Sequence, residues 1–176
     1  MVEPLVHFSV AFSALAVSGS SSRKAAFAAF FALLPDLDVL LHVHRSMTHS
    51  ILILGGIAFL AALLTWGTKY WIYVPLAAAG LVSHLLLDLF SGYTPVLWPV
   101  YNRAVQLIFS SVTHIGSTPT VTFRADVLTE PVRFEPFDSL DAPIFTSEGL
   151  IASAILLVPV LLTRVYKASR KTEFRS

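Results

Sequence analysis

The sequence predicts an all-α membrane protein of about five transmembrane helices, with a small extramembrane cap in which short strands are expected. Three observations predict it. Of the 176 residues, 55% are hydrophobic and only 13% are Asp, Glu, Lys or Arg, against about 25% charged residues in an ordinary soluble domain. The apolar residues gather into five segments. Histidines and aspartates lie inside those segments or at their ends, where unpaired polar groups are costly.

The segments are Leu5 to Ser18, Ala25 to about Val43, Ile51 to Trp66, Tyr70 to Phe90, and Gly149 to Thr163. An upright crossing takes about 20 residues, so the first segment reads equally as a short or partial span. The chain starts Met1-Val-Glu-Pro-Leu-Val-His7, with an acid where a cleaved signal peptide carries positive charge, and the first segment is therefore expected to be retained.

Orientation follows from Lys and Arg, which favour the cytoplasmic side. Arg164, Lys167, Arg170, Lys171 and Arg175 form the densest basic cluster, so the C-terminal tail is expected in the cytoplasm. Counting back puts 91–148 outside, Gly67-Thr-Lys69 inside, the His42 to His49 connection outside, Ser20 to Lys24 inside and the N-terminus outside. Among the short connections Arg45 is the exception. This topology collects His7, the Pro35-Asp36-Leu-Asp38 turn, His49, His84 and Asp88 in one layer near the outer face. The expected division is 1–91, a four-helix membrane core bearing this polar layer; 92–148, an extracytoplasmic cap or long loop; and 149–176, a last membrane helix with a basic tail.

Within the cap, Thr120-Val-Thr-Phe-Arg-Ala-Asp-Val127 alternates with period two and is followed by Pro131-Val-Arg-Phe-Glu-Pro136, a pattern of short strands with a hairpin among the options. Val96 to Val112 mixes Trp98, Tyr101 and Phe109 with Asn102, Arg103 and Gln106, and reads as an interfacial helix.

Composition also excludes. A net charge of +1 without a basic run gives no footprint for nucleic acid. The absence of cysteine removes thiolate ligands, thiol nucleophiles and disulfides. A Ser-His-Asp hydrolase is disfavoured because no Gly-x-Ser-x-Gly elbow is present, and a glycine-rich nucleotide loop is also missing.

The chemistry must then come from imidazole and carboxylate. His84 and Asp88 are four apart, so a helix presents both on one face; the structural alternative is a hydrogen bond that tightens packing. Asp36 and Asp38 are two apart and would diverge in a regular helix, but Pro35 permits a local opening in which they converge; the alternative is a helix end facing water. His49 ranks first in the His42 to His49 stretch, ahead of His42 and His44, with Thr48 or Ser50 as the cap of the next helix. His7 reads equally as a packing residue and as a ligand.

His7, Asp36, Asp38, His49, His84 and Asp88 form the candidate metal set. They suit a divalent cation, zinc or manganese foremost, with iron or hydrated magnesium also compatible. They would serve one ion with supporting partners or two ions bridged by a carboxylate. Asp36 or Asp38 is the candidate proton acceptor, Arg45 the candidate for stabilising transition-state charge, with Arg103 behind it.

Ala32-Leu-Leu-Pro-Asp-Leu-Asp38, His44-Arg-Ser-Met-Thr-His-Ser50, His84-Leu-Leu-Leu-Asp88, Gly92 and Leu97-Trp-Pro99 together resemble the membrane-bound metal-dependent hydrolases of the YdjM-like type, a prokaryotic family. The resemblance covers about positions 1 to 100, with His7 at the place of the family's early histidine. It implies a multi-helix plasma-membrane protein with metal-assisted hydrolase activity, the same six residues at the metal, and Arg45 and Thr48 beside them. The expected activity is cleavage of a phosphoester or other ester in a lipid-linked substrate, with membrane lipid as the surrounding partner. A metal or proton transporter and a non-catalytic structural membrane protein are the rival expectations.

Overall fold

Prolines and serines set the helix boundaries. In the computed structural model, which describes residues 3–138 and 145–173, Pro4 opens α1 (Pro4–Val17), where a missing backbone N–H costs nothing. Ser21 caps α2 (Ser22–Phe31) by accepting from Lys24 N, and Ser50 caps α3 (Ile51–Thr65) by accepting from Leu52 N and Ile53 N. α4 covers Tyr73–Ser91 and α5 covers Ser147–Glu173. Two 3-10 segments, Pro35–Leu41 and Met47–His49, lie between α2 and α3. Strands β1 (Arg103–His114) and β2 (Thr120–Pro131) form an antiparallel hairpin.

This architecture corrects the expected fold class. The protein is not all-α, and among the described residues only two helices, α4 and the Ser147–Lys167 part of α5, are long and apolar enough to cross a membrane, not about five. α1, α2 and α3 have 14, 10 and 15 residues; at about 1.5 Å per residue none reaches the ~30 Å of a hydrocarbon layer. The second apolar segment, expected to continue to about Val43, stops at Phe31 as a helix. Pro35 cannot donate the next ladder hydrogen bond, and the chain tightens into 3-10 winding until His42 turns it with a left-handed backbone, φ 57°.

The cap differs from expectation as well. Arg103 to His114, within and just beyond the expected interfacial helix, is strand β1, and its partner is the alternating run at Thr120. β1 pairs along its whole length with the segment from Thr120 to Pro131, and that ladder outweighs the aromatic and polar mixture read as helical. The segment after Pro131, expected as a further strand, continues without strand structure. Residues 139–144 of the expected cap and Arg175 of the basic tail lie outside the described residues.

Burial is reversed relative to a water-soluble domain. The buried hydrophobic residues are mostly alanines, Ala11, Ala16, Ala25, Ala28, Ala29 and Ala32 among them, while Phe59, Leu64, Ile155 and Leu162 are exposed. Small residues let helices approach closely where lipid solvates the large ones. At Gly80 of α4 an added Cβ would lie 2.0 Å from Ala28 O of α2, so this crossing tolerates no side chain.

The contacts also fix helix directions. Ala28 meets Gly80 and Ala32 meets His84, so α2 and α4 run parallel. Glu3 accepts from Thr146 N at 2.9 Å, Ser13 Oγ donates to Leu156 O at 3.0 Å and Arg164 Nη2 donates to Ala16 O at 2.9 Å, so α1 and α5 also run parallel and are fastened at both ends. His7 near the start of α1 therefore shares one end of the bundle with Ala32, the 3-10 segments and Asp88 near the end of α4.

Candidate metal centre

Pro35 has a second effect, on chemistry. By ending α2 it leaves the Ala32 carbonyl without a ladder donor, and His84 Nδ1 donates to that oxygen at 2.7 Å. A carbonyl only accepts, so the proton of a neutral His84 is on Nδ1 and the Nε2 lone pair points inward. The 3-10 winding acts on the aspartates: at three residues per turn, positions two apart diverge by about 120° rather than about 160°. Asp36 and Asp38 thereby bracket one imidazole. His49 Nδ1 faces Asp38 Oδ2 at 3.3 Å and His49 Nε2 faces Asp36 Oδ1 at 3.6 Å.

Four donor atoms converge. His49 Nε2 lies 3.1 Å from His84 Nε2 and 3.2 Å from Asp88 Oδ2, and His84 Nε2 lies 3.4 Å from Asp88 Oδ2 and 3.6 Å from Asp36 Oδ1. Ligands at ~2.0–2.1 Å from a tetrahedral zinc are about 3.3–3.4 Å apart, close to these pair distances, and all four donor atoms lie within 4.8 Å of one another. Asp36 Oδ1 and Asp88 Oδ2 are buried and lack a hydrogen-bond partner, as an empty-handed ligand would. Each imidazole has an acceptor on its other nitrogen, Ala32 O for His84 and Asp38 for His49.

Electrostatics make the same demand. Burial lowers the pKa of His49, but Asp36, Asp38 and Asp88 outweigh it and push it up to about 10. Burial raises that of Asp38, yet His44, His49 and the Ser46 amide hold its carboxyl well below the usual range. Clustered carboxylates require positive charge, which a proton on His49 or a cation supplies.

The remaining predicted residues surround these four. His7 stacks on His84 with ring centroids 3.9 Å apart and places Nε2 3.6 Å from Asp88 Oδ1; it flanks the cluster. Asp38 Oδ2 accepts from Ser46 N at 2.8 Å and Thr48 Oγ1 at 3.0 Å. Thr48, also 3.0 Å from Pro35 O, positions Asp38. Arg45 Nη2 donates to Ser91 Oγ at 2.6 Å and sits 3.4 Å from Asp88 Oδ1, while Nη1 reaches Tyr93 O at 3.4 Å. Its backbone is left-handed, φ 55°, a local cost found where surrounding contacts over-determine a conformation. His42 turns to Phe137 O, and Arg103 binds Thr129 on the hairpin, both apart from the centre.

Sequence reasoning did not single out Ser46, Ser91 or the structural use of Gly92. A Cβ on Gly92 would lie 2.0 Å from Arg45 Nη1, so the glycine makes room for the guanidinium. Ser91, one turn beyond Asp88 on the same face, was the available signal.

No curated protein and no solved structure matches the chain. Residues 5–171, nearly the whole polypeptide and not only its first hundred positions, match the family model described as YdjM inner membrane protein. The short helices packed through alanine and the lipid-like exposure of large apolar side chains thus belong to a membrane protein, and the chain is a member of the YdjM inner membrane protein family.

Proposed function

We propose that the protein is a metal-dependent hydrolase acting at the outer membrane face on a phosphoester or other ester of a lipid-linked substrate. Family membership supplies residence in the membrane; the hydrolase reading stands on the site. The observation that carries it is the convergence of Asp36, His49, His84 and Asp88 at ligand-to-ligand distances, with both imidazoles oriented by acceptors behind them. A divalent cation held by these residues, zinc or manganese in our reading, supplies Lewis acidity and a nucleophile at neutral pH.

The chain's own residues supply the rest. Arg45, partly exposed at the edge of the cluster and anchored by Ser91 and Tyr93, offers positive charge to a phosphoryl or carbonyl oxygen. Asp36, the most accessible of the donors with 15% of its side chain exposed, is suited to accept a proton. Asp38 is kept for orientation by its three partners on Oδ2. The donors gather at one end of the bundle, which suits headgroup chemistry at a membrane surface better than an ion pathway needing access from both sides.

Detergent-purified protein is expected to hold a divalent cation and to cleave a lipid phosphoester in an EDTA-sensitive way. Replacing His84 and Asp88 together by Ala should abolish both; unchanged metal content in that variant would refute the site. Orientation is tested by Ser22→Cys and Ser117→Cys: a membrane-impermeant thiol reagent is expected to reach only the latter from outside.

A further inference from the structure

The four-donor group does not use every orphaned ligand atom beside it. Asp38 is fully buried, and while its Oδ2 is saturated by Ser46, Thr48 and His49, its Oδ1 has no hydrogen-bond partner. His44 Nδ1 faces that oxygen at 3.7 Å, too far for a hydrogen bond, and neither ring nitrogen of His44 has a partner although both atoms are buried. Asp36 Oδ1 lies 3.9 Å from His44 Nδ1 and 3.6 Å from both His49 Nε2 and His84 Nε2, between the two groups.

We propose that the centre holds two divalent cations, the second bound by Asp38 and His44, which with His49 form a second group of donor atoms within 4.8 Å of one another, and linked to the first through the carboxylate of Asp36, 3.9 Å from His44 Nδ1. This rests on the metal reading of the same centre and deepens it. Orphaned donors facing one another at more than hydrogen-bond length are separated as ligands of a shared ion are, and the gap closes by a few tenths of an ångström. The His44 ring stands at 80° to that of His49, so two imidazoles approach the centre from different directions.

Coordination and charge favour the pair. An ion held by Asp36, His49, His84 and Asp88 already has four protein ligands and takes up water only by expanding its coordination. The second ion, with three, keeps positions open on the side of Asp36 and His44, whose side chains are 15% and 22% exposed. Asp36, Asp38 and Asp88 against Arg45 leave two negative charges, which one divalent cation neutralises. A second cation leaves an excess of positive charge, which suits an anionic phosphoester and a two-ion clamp on the attacking and leaving oxygens.

The test is metal content of the full chain, purified in detergent, loaded with Mn(II) and dialysed, measured by elemental analysis and by electron paramagnetic resonance. Two ions per chain with a spin-coupled signal are expected for the wild type. His44→Ala should hold one ion and give the signal of isolated Mn(II), with an unchanged thermal transition of the metal-free protein as the check on folding. One ion in the wild type overturns the second site and leaves the first; two ions in both wild type and His44→Ala place the second elsewhere and overturn it too. No bound ion in any preparation overturns both readings.

Discussion

His7, His49, His84, Asp38 and Asp88 are buried at one end of the helices, whereas on the β-hairpin even Phe109, Phe123 and Val127 stand open. The polar centre is surrounded by contacts from α1, α2, α4 and both 3-10 segments. The hairpin is a two-stranded ladder joined to the rest mainly at its base, through Thr94 paired with Val105 and Phe90 against Phe109. In a lipid-solvated protein, apolar exposure costs little, and stability concentrates where charge is enclosed and where backbones touch. Substitutions in the two regions should therefore differ in size by far more than their hydrophobicity suggests.

The largest effect is expected at Asp88, which faces His7, His49, His84 and Arg45. Asp88→Ala leaves those groups without their counter-charge and should cost about 3–5 kcal/mol, with loss of bound metal, seen in thermal denaturation and elemental analysis. A protein that melts unchanged would show that the enclosed charges are not what holds this end together. Next comes Gly80→Leu, whose Cβ would begin 2.0 Å from Ala28 O. Separating α2 from α4 should cost about 1–3 kcal/mol and also weaken metal affinity, because Ala32 would move from His84.

Proton competition gives a third, graded effect. His49 has its pKa raised from 6.5 to about 10, so without metal its contribution to stability is complete below about 6.5 and lost as pH rises through about 10. Metal-free protein should thus weaken toward pH 10 while the loaded form does not. Metal binding displaces that proton, so affinity should fall about tenfold, roughly 1.4 kcal/mol, for each unit of pH lowered from 9 to 7. Calorimetry in two buffers of different ionisation enthalpy checks the release of one proton. The smallest change belongs to the hairpin: Phe123→Ser should alter stability by no more than about 0.5 kcal/mol and leave metal content intact. A larger loss would mean that the hairpin face is covered in the membrane.

The same contrast explains what could be read from the sequence. His84 and Asp88 were legible because helical spacing alone puts them on one face, and because burying them needs a reason. Asp36 and Asp38 were legible as a pair, but their bracketing of His49 depends on 3-10 winding that no periodicity announces. Helix lengths were misjudged because apolar composition runs through Pro35 while the hydrogen-bond ladder does not. In β1 apolar residues fall on both faces, Val105, Leu107 and Phe109 on one and Ala104 and Ile108 on the other, so no alternation marks the strand and only its pairing with the Thr120 run defines it. Gly92 carried no local signal, since its role is set by a guanidinium from another segment.

The paired fastening of α1 and α5 bears on how the molecule is made. Ser13 and its acceptor Leu156 are separated by 143 positions, as are Glu3 and Thr146. The chain is made from its N-terminus, so Glu3 and Ser13 leave the ribosome long before Thr146 and Leu156, the residues they bind. Only arrival of the last helix lets that acid withdraw beside Thr146 and Arg164 lock onto the Ala16 carbonyl. These contacts therefore form late, and a chain interrupted before Thr146 would carry every histidine and aspartate of the site while lacking all three fastenings of α1.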